Sequence, residues 1–230
     1  PIKDAAADTD EYVRQKAVEQ LARYTPETIP DIISAMNDES DEVKEAATRT
    51  LGTLAHHGKI TSDDAAAIEP KLLPMLDDSE SASIRATALN TLSSLATNKK
   101  AQVSRLADAL SAPEVWTVNV ALYWLGEYGP LSAPAVPELI RFLDKEERTK
   151  SSHMLYGPDP TPKSIDAAEA TIRTLGKIGP AAASAAPLIK EFANRDDTKL
   201  RHEVENAILK ITGEKFETQK RKRTTLAAPV

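Results

Sequence analysis

The chain has 230 residues, a formal net charge of −6, only 4 % aromatic residues and 8 glycines. Alanine is the most frequent residue and β-branched runs are scarce, so the composition predicts an all-helical fold and argues against a sandwich or barrel. The lack of cysteine excludes disulfides, Fe–S clusters and Cys-ligated zinc, and the acidic balance argues against nucleic-acid binding.

A helical pattern recurs six times along the chain. Offsets are counted from the first residue of each copy. The residues at offsets 0, 4, 8 and 11 lie along one side of an α-helix, which we call the stripe, and this pattern predicts that the stripe is buried. The clearest copies start with an aliphatic residue, followed by a cation. In chain order the copies begin at Val13, Val43, Ile84, Thr117, Ala167 and Leu200.

A second helical segment precedes each copy after the first. These segments are 29–36, 68–76, 103–110, 136–143 and 187–193, and most have a proline near their start. Acidic and polar turns such as 37–41 separate a segment from the next copy and supply N-caps. The first copy has no such partner helix. This predicts more sequence before Pro1, a partner that covers this end, or a half-repeat cap.

Two stretches 50 residues apart have almost the same sequence. Each begins with Leu-Gly-x-x-Gly-Pro, the first at Leu125 and the second at Leu175. A second motif, Asp-x-x-x-x-Val-Arg/Lys-x-x-Ala-x-x-x-Leu, begins at Asp8 and again at Asp38. Together the two motifs resemble HEAT repeats of the PBS-lyase-like type. The resemblance covers about residues 8–213. It implies an all-α, right-handed α-α superhelix of about five and a half helical hairpins. Copies three to five depart from the motif, which predicts that an Asp–Arg ladder between repeats is interrupted there.

The domain prediction is one solenoid over 1–213 and a basic, flexible tail over 214–230. Residues 146–163 interrupt the repeat and form an insertion with an apolar tip at Met154, Leu155 and Tyr156. Because long loops are usually functional or disordered, we expect the insertion to be ordered, alone or by a partner, on one edge of the solenoid.

The helices of the six copies also predict a partner-binding surface. Positions at offsets 2, 6 and 10 point away from the buried stripe, and their side chains are polar apart from Ala86 and the aromatic Tyr123. Trp116 lies two turns before Tyr123, so the two rings form an aromatic pair on the concave face or, alternatively, pack against the neighbouring repeat. The predicted partner-binding residues are Trp116, Asn119, Tyr123, Glu127, Glu169, Arg173, His153, Met154 and Tyr156.

The sequence favours a non-catalytic protein-interaction scaffold or adaptor, or a subunit or arm of a larger assembly. No catalytic residues, metal site or cofactor are predicted. His202-Glu203 is a lone pair, whereas the HEAT-like deoxyhypusine hydroxylases that it resembles need several such pairs to bind two irons. The family resemblance implies one enzymatic alternative, a bilin lyase or isomerase. We expect an unidentified protein partner, no small-molecule substrate, no nucleic acid and no membrane span, in either cytoplasm or periplasm.

Overall fold

The structure, a computed structural model, describes residues 2–77, 80–95, 97–149, 154–155, 165–195 and 197–217. Over this part of the chain the fold is an all-α helical-repeat solenoid, as the sequence predicted. Its helices are α1 (Ile2–Ala5), α2 (Glu11–Leu21), α3 (Ile29–Ala35), α4 (Asp41–His56), α5 (Ser62–Leu72), α6 (Ala82–Leu95), α7 (Lys99–Ala109), α8 (Val115–Tyr128), α9 (Val136–Thr149), α10 (Ala167–Ile178), α11 (Ala186–Glu191) and α12 (Thr198–Thr212).

Odd-numbered helices are the first helices of the hairpins, and even-numbered helices are the second. Each first helix packs on the second helix of its own hairpin, and consecutive second helices pack on one another from α2 to α12. The sequence predicted no first helix before α2, but the structure has the one-turn helix α1 in that place. Ile2 of α1 is partly buried against the core.

Local chemistry accounts for the helix ends. Asp10 caps α2 by accepting hydrogen bonds from the backbone N–H groups of Tyr12 and Val13, at 2.8 and 3.4 Å. After α8 and α10 the chain turns at Gly129 and Gly179, whose φ angles are +55° and +77°. The proline that follows each glycine prevents the helix from continuing, and a 3₁₀ segment leads to the next first helix.

The predicted stripe is the core of the molecule. Nearly all of its members are buried, including Leu51, Leu125 and Leu175, each 0 % exposed. Val13 and Leu95 are only partly buried. Tyr24 was expected in the core but is 57 % exposed; it lies in a 3₁₀ turn after Leu21, the last residue of α2, so the α-helical period no longer sets its direction.

Consecutive second helices approach closely through paired glycines and threonines. A Cβ on Gly52 would lie 2.5 Å from Thr91 Oγ1 of the next second helix. That hydroxyl donates to the carbonyl of Thr48 at 2.9 Å, and Thr174 donates in the same way to the carbonyl of Leu122 at 2.9 Å. The glycine leaves room for the threonine, and the threonine hydrogen-bonds a backbone group of the preceding helix.

The junction between α6 and α8 is built differently. Trp124 occupies the position of these threonines on α8, and its indole Nε1 donates to Asn90 Oδ1 at 2.8 Å. One turn further on, the hydroxyl of Tyr128 donates to the carbonyl of Ser93 at 2.7 Å, and burial raises the pKa of Tyr128 to about 12. At this junction the Trp124 indole therefore fills the space that a threonine fills between α4 and α6 and between α8 and α10.

Ion pairs join successive hairpins at the turns before the second helices. Arg14 makes a bidentate pair with Asp38, with N–O distances of 2.9 and 2.8 Å. Arg85 likewise forms an ion pair with Glu114 at the start of α8. The aspartate of the motif is absent before α8, as the sequence indicated, but Arg85 pairs instead with a glutamate at the N-cap of that helix, so an ion pair remains where an interrupted Asp–Arg ladder was predicted.

The remaining departures lie in the insertion and after α12. Within the predicted insertion, Met154–Leu155 pairs antiparallel with Ile165–Asp166, and the first of these short strands lies beside α8. After α12, Phe216 packs partly buried on the core, with Lys190 Nζ 5.4 Å from its ring centroid. Residues 218–230, most of the predicted tail, lie outside the described residues.

Candidate functional site

The second helices present one continuous exposed side, which we call the second-helix face. It is formed by the residues at offsets 2, 6 and 10 of each copy, together with the residue one position before the copy. The buried stripe on the opposite side of each helix fixes the direction of these side chains. Ala86 and Glu169, both at offset 2, are exceptions because they are buried.

Tyr123 is the aromatic residue in the middle of this face, and 49 % of its surface is exposed. Its ring stands edge-on to that of Trp124, with the centroids 5.2 Å apart and the planes at 81°. Partial burial raises the pKa of Tyr123, and the charge of Glu127 raises it further. Tyr123 is therefore a neutral phenol held in place by the indole beneath it.

Trp116 is placed differently from Tyr123. It is partly buried and packs against the hydrophobic core. The predicted pair of projecting rings is therefore split, since Trp116 follows the packing alternative while Tyr123 follows the surface one. Trp124, which supports Tyr123, was missed because it lies at offset 7 and faces the preceding helix. The sequence did contain a signal for this contact, because offset 7 is a threonine in three other copies, at Thr50, Thr91 and Thr174.

Apart from Glu127, which is paired with Lys177 of α10, the middle of the face, on α6 and α8, carries uncharged groups. We call it the neutral strip, and its members are Ser83, Asn90, Ser94, Asn119 and Tyr123. The side chain of Asn90 is oriented by Trp124, since its Oδ1 accepts the indole N–H. The predicted site residues Asn119 and Tyr123 thus come together here with Asn90.

On the α2–α4 side, the strip is bordered by linked ion pairs. Arg49 bridges Glu19 and Glu45 at 3.4 and 3.1 Å, and Glu19 also binds Lys16 at 2.9 Å. The hydrogen bond from Lys16 to Glu19 raises the pKa of Lys16. Ser83 of the strip donates to Glu45 at 2.8 Å, which connects this network to α6.

On the α10–α12 side, the charged residues of the predicted site, Glu127, Glu169 and Arg173, are also ion-paired. Glu127 binds Lys177 at 2.7 Å. Arg173 pairs with both Glu169 and Glu203, the latter at 3.1 Å. Glu169 is only 4 % exposed and also binds Lys199 at 2.9 Å, so it stabilises the helix packing rather than projecting toward a partner.

The insertion residues of the predicted site are not brought to this face by any described contact. His153 and Tyr156 lie outside the described residues, and Met154 is described only as part of its short strand. An open, polar cavity of about 350 Å³ lies instead at the turns of the first two hairpins, lined by Thr9, Glu11, Arg14, Glu39 and Ser40. The hydrogen bond from Arg14 lowers the pKa of Asp38 beside it.

The residues that the structure describes contain no group of three or more His, Cys, Asp or Glu side chains arranged to hold a metal ion. None of the described helices combines the length and the apolar character needed to cross a bilayer.

Comparison with known protein families gives a match over the first part of the chain. The family model described as HEAT repeats matches residues 1–69. No curated protein sequence matches the chain.

Solved structures resemble the fold at low sequence identity. A designed armadillo repeat protein in complex with the peptide (KR)4 aligns with a TM-score of 0.61 at 12 % identity, over 91 % of this chain and 98 % of that one. An engineered protein aligns with a TM-score of 0.57 at 15 % identity, over 92 % and 95 %. The complex of CpcE and CpcF of phycocyanin lyase from Nostoc sp. PCC7120 aligns with a TM-score of 0.56 at 22 % identity, over 81 % and 66 %. At these identities the likeness concerns the fold alone.

Proposed function

We propose that the chain, whose residues 1–69 match the HEAT-repeat model and whose described part is a helical-repeat solenoid, is a non-catalytic scaffold or adaptor that binds a protein partner on its second-helix face. The observation that supports this most directly is Tyr123, half exposed among the polar side chains that α6 and α8 place in the middle of this face. Aromatic side chains are enriched among residues that dominate binding energy at interfaces. Solenoids use extended surfaces of this kind for binding.

The support beneath Tyr123 adds to this argument. Its ring rests against Trp124, which is itself anchored through Asn90. A tyrosine held in this way loses little conformational entropy when a partner covers it, so more of its apolar area contributes to affinity. The bordering ion pairs surround the strip with compensated charges, an arrangement typical of the polar rim of an interface.

The competing function is the bilin lyase or isomerase implied by the family resemblance. Its test is direct, since a protein that binds or transfers a bilin changes the absorbance of the chromophore. We expect the spectrum of a free bilin to be unchanged after mixing with the purified chain. A shifted or bleached spectrum would favour the enzymatic alternative over the scaffold.

The scaffold proposal is tested by placing a photo-crosslinking phenylalanine analogue at position 123 and, as a control, at position 24. Tyr24 is matched because it is exposed to a similar extent but does not belong to the second-helix face. A protein captured at 123 is then purified and titrated. Tyr123→Ala should weaken its affinity by about 2–4 kcal/mol, the size of a hot spot, while Tyr24→Ala leaves it unchanged. Equal capture at both positions, or equal affinity of both variants, would contradict the proposal.

A further inference from the structure

The neutral strip differs from the rest of the second-helix face in charge, and this difference bears on what it binds. On both sides, carboxylates and cations are linked in pairs, such as Arg49 with Glu45 and Lys177 with Glu127. Between them, α6 and α8 present hydroxyl groups, amides and the Tyr123 ring. The charges nearest the strip are Glu45, which accepts a hydrogen bond from Ser83, and Glu127, one turn from Tyr123 on α8. Both are already ion-paired, so a charged side chain brought onto the strip would lose water and would have to compete with these pairs for an opposite charge, which is unfavourable.

Asn90 supplies the directional part of the strip. The indole N–H of Trp124 donates to Oδ1, so the amide is turned with Nδ2 away from that bond. The two N–H donors of Nδ2 find no acceptor among the described residues, and Asn90 is partly exposed. The hydroxyl of Tyr123 is likewise without a described partner. A ligand that covers the strip must therefore provide a neutral acceptor for Asn90 and apolar area for the tyrosine ring.

We propose that the neutral strip binds a short, extended segment of the protein partner that has no charged side chains, with a main-chain carbonyl accepting from Asn90 Nδ2 and an apolar side chain on Tyr123. An extended segment fits this site because its main-chain carbonyl groups are free, whereas those inside a helix are already bonded within the helix. This inference rests on the proposed function and specifies the chemistry of the partner at the same site.

The test uses a library of random 12-residue peptides displayed on phage, selected against the immobilised full chain. We expect the selected peptides to be depleted of Asp, Glu, Lys and Arg in their central positions and enriched in aliphatic or aromatic residues. Their affinity is then measured for two further proteins, Asn90→Asp and Tyr123→Ala. The carboxylate introduced by Asn90→Asp keeps an oxygen that accepts from Trp124 but lacks both N–H donors, so binding should weaken by about tenfold.

Asn194→Asp is the matched control, because it adds the same charge at an exposed position away from the second helices. It should leave affinity within about twofold, since distant exposed charges are largely screened. Circular dichroism and the unfolding midpoint show whether Asn90→Asp keeps the fold. If its helix packing is lost, Asn90→Ser serves as the second variant and should weaken binding equally.

The outcomes separate this inference from the proposal on which it rests. Uncharged peptides that require both Asn90 and Tyr123 would support both. Peptides with charged central residues that still require Tyr123 would overturn the neutral segment but leave the scaffold function intact. If no selected peptide depends on Tyr123, both the inference and the use of this face as a binding surface are wrong.

Discussion

The contact between Gly52 and Thr91 gives the sharpest test of how the second helices stack. In an exposed helix, replacing glycine by alanine stabilises by about 1 kcal/mol, because alanine has the better helix propensity. At Gly52 the added methyl group would lie 2.5 Å from Thr91 Oγ1. To avoid it, the fully buried threonine must rotate and give up its 2.9 Å hydrogen bond to the carbonyl of Thr48. Leaving such buried groups unpaired costs about 1–3 kcal/mol, so Gly52→Ala should be destabilising overall by about 1 kcal/mol.

The sign should reverse when the obstructing hydroxyl is removed first. Thr91→Ala by itself should cost about 1–2 kcal/mol, from the lost hydrogen bond and the lost buried methyl group. In that background, Gly52→Ala no longer meets Oγ1 and should be neutral or stabilising. The assay is urea unfolding of the four proteins, followed by circular dichroism, with Thr53→Ala on the exposed side of α4 as a control expected near zero. Additivity of the two changes within about 0.5 kcal/mol would refute the proposed packing.

Three further predictions concern the core, the aromatic residues and the turn ion pair. Leu51→Ala removes a fully buried side chain from the stripe and should lower the free energy of unfolding by about 2–5 kcal/mol in urea titrations, whereas a loss below about 1 kcal/mol would contradict the burial of the stripe. Trp116→Ala should lower the melting temperature, because Trp116 packs on the core, while Tyr123→Ala should leave it nearly unchanged; calorimetry showing the opposite order would contradict their placement. The hydrogen bond from Arg14 lowers the pKa of Asp38 in the folded state, so Asp38 adds stability above its unfolded-state pKa of about 4, and this stability is lost as the pH falls through the lower folded-state pKa. The difference in unfolding midpoint between the wild type and Asp38→Asn should therefore be present at pH 7 and shrink below about pH 4, and a pH-independent difference would assign the effect to something other than the charge.

The ends of the second helices and the direction of their side chains follow from the sequence itself. An apolar residue at every third or fourth position of a helix, such as Leu51 in α4 and Leu175 in α10, was sufficient to predict which face of the helix is buried. This works because helical periodicity is a local property of the chain. The positions of Asp10 and Gly129 at helix ends follow from equally local preferences for capping and for positive φ. Tyr123, at offset 6, was found on the exposed side by the same reasoning.

What each exposed side chain contacts was decided by the tertiary structure. Trp116 and Tyr123 are two helical turns apart, yet one packs on the core and the other projects, because the neighbouring elements cover only the first. Glu169 was predicted as a binding residue, but Arg173 and Lys199 converge on it and bury it. Asn90 and Trp124 lie on adjacent second helices 34 residues apart, so their hydrogen bond depends on how closely α6 and α8 approach. Distances between helices result from packing over the whole solenoid, and a periodic pattern within one helix carries no information about them.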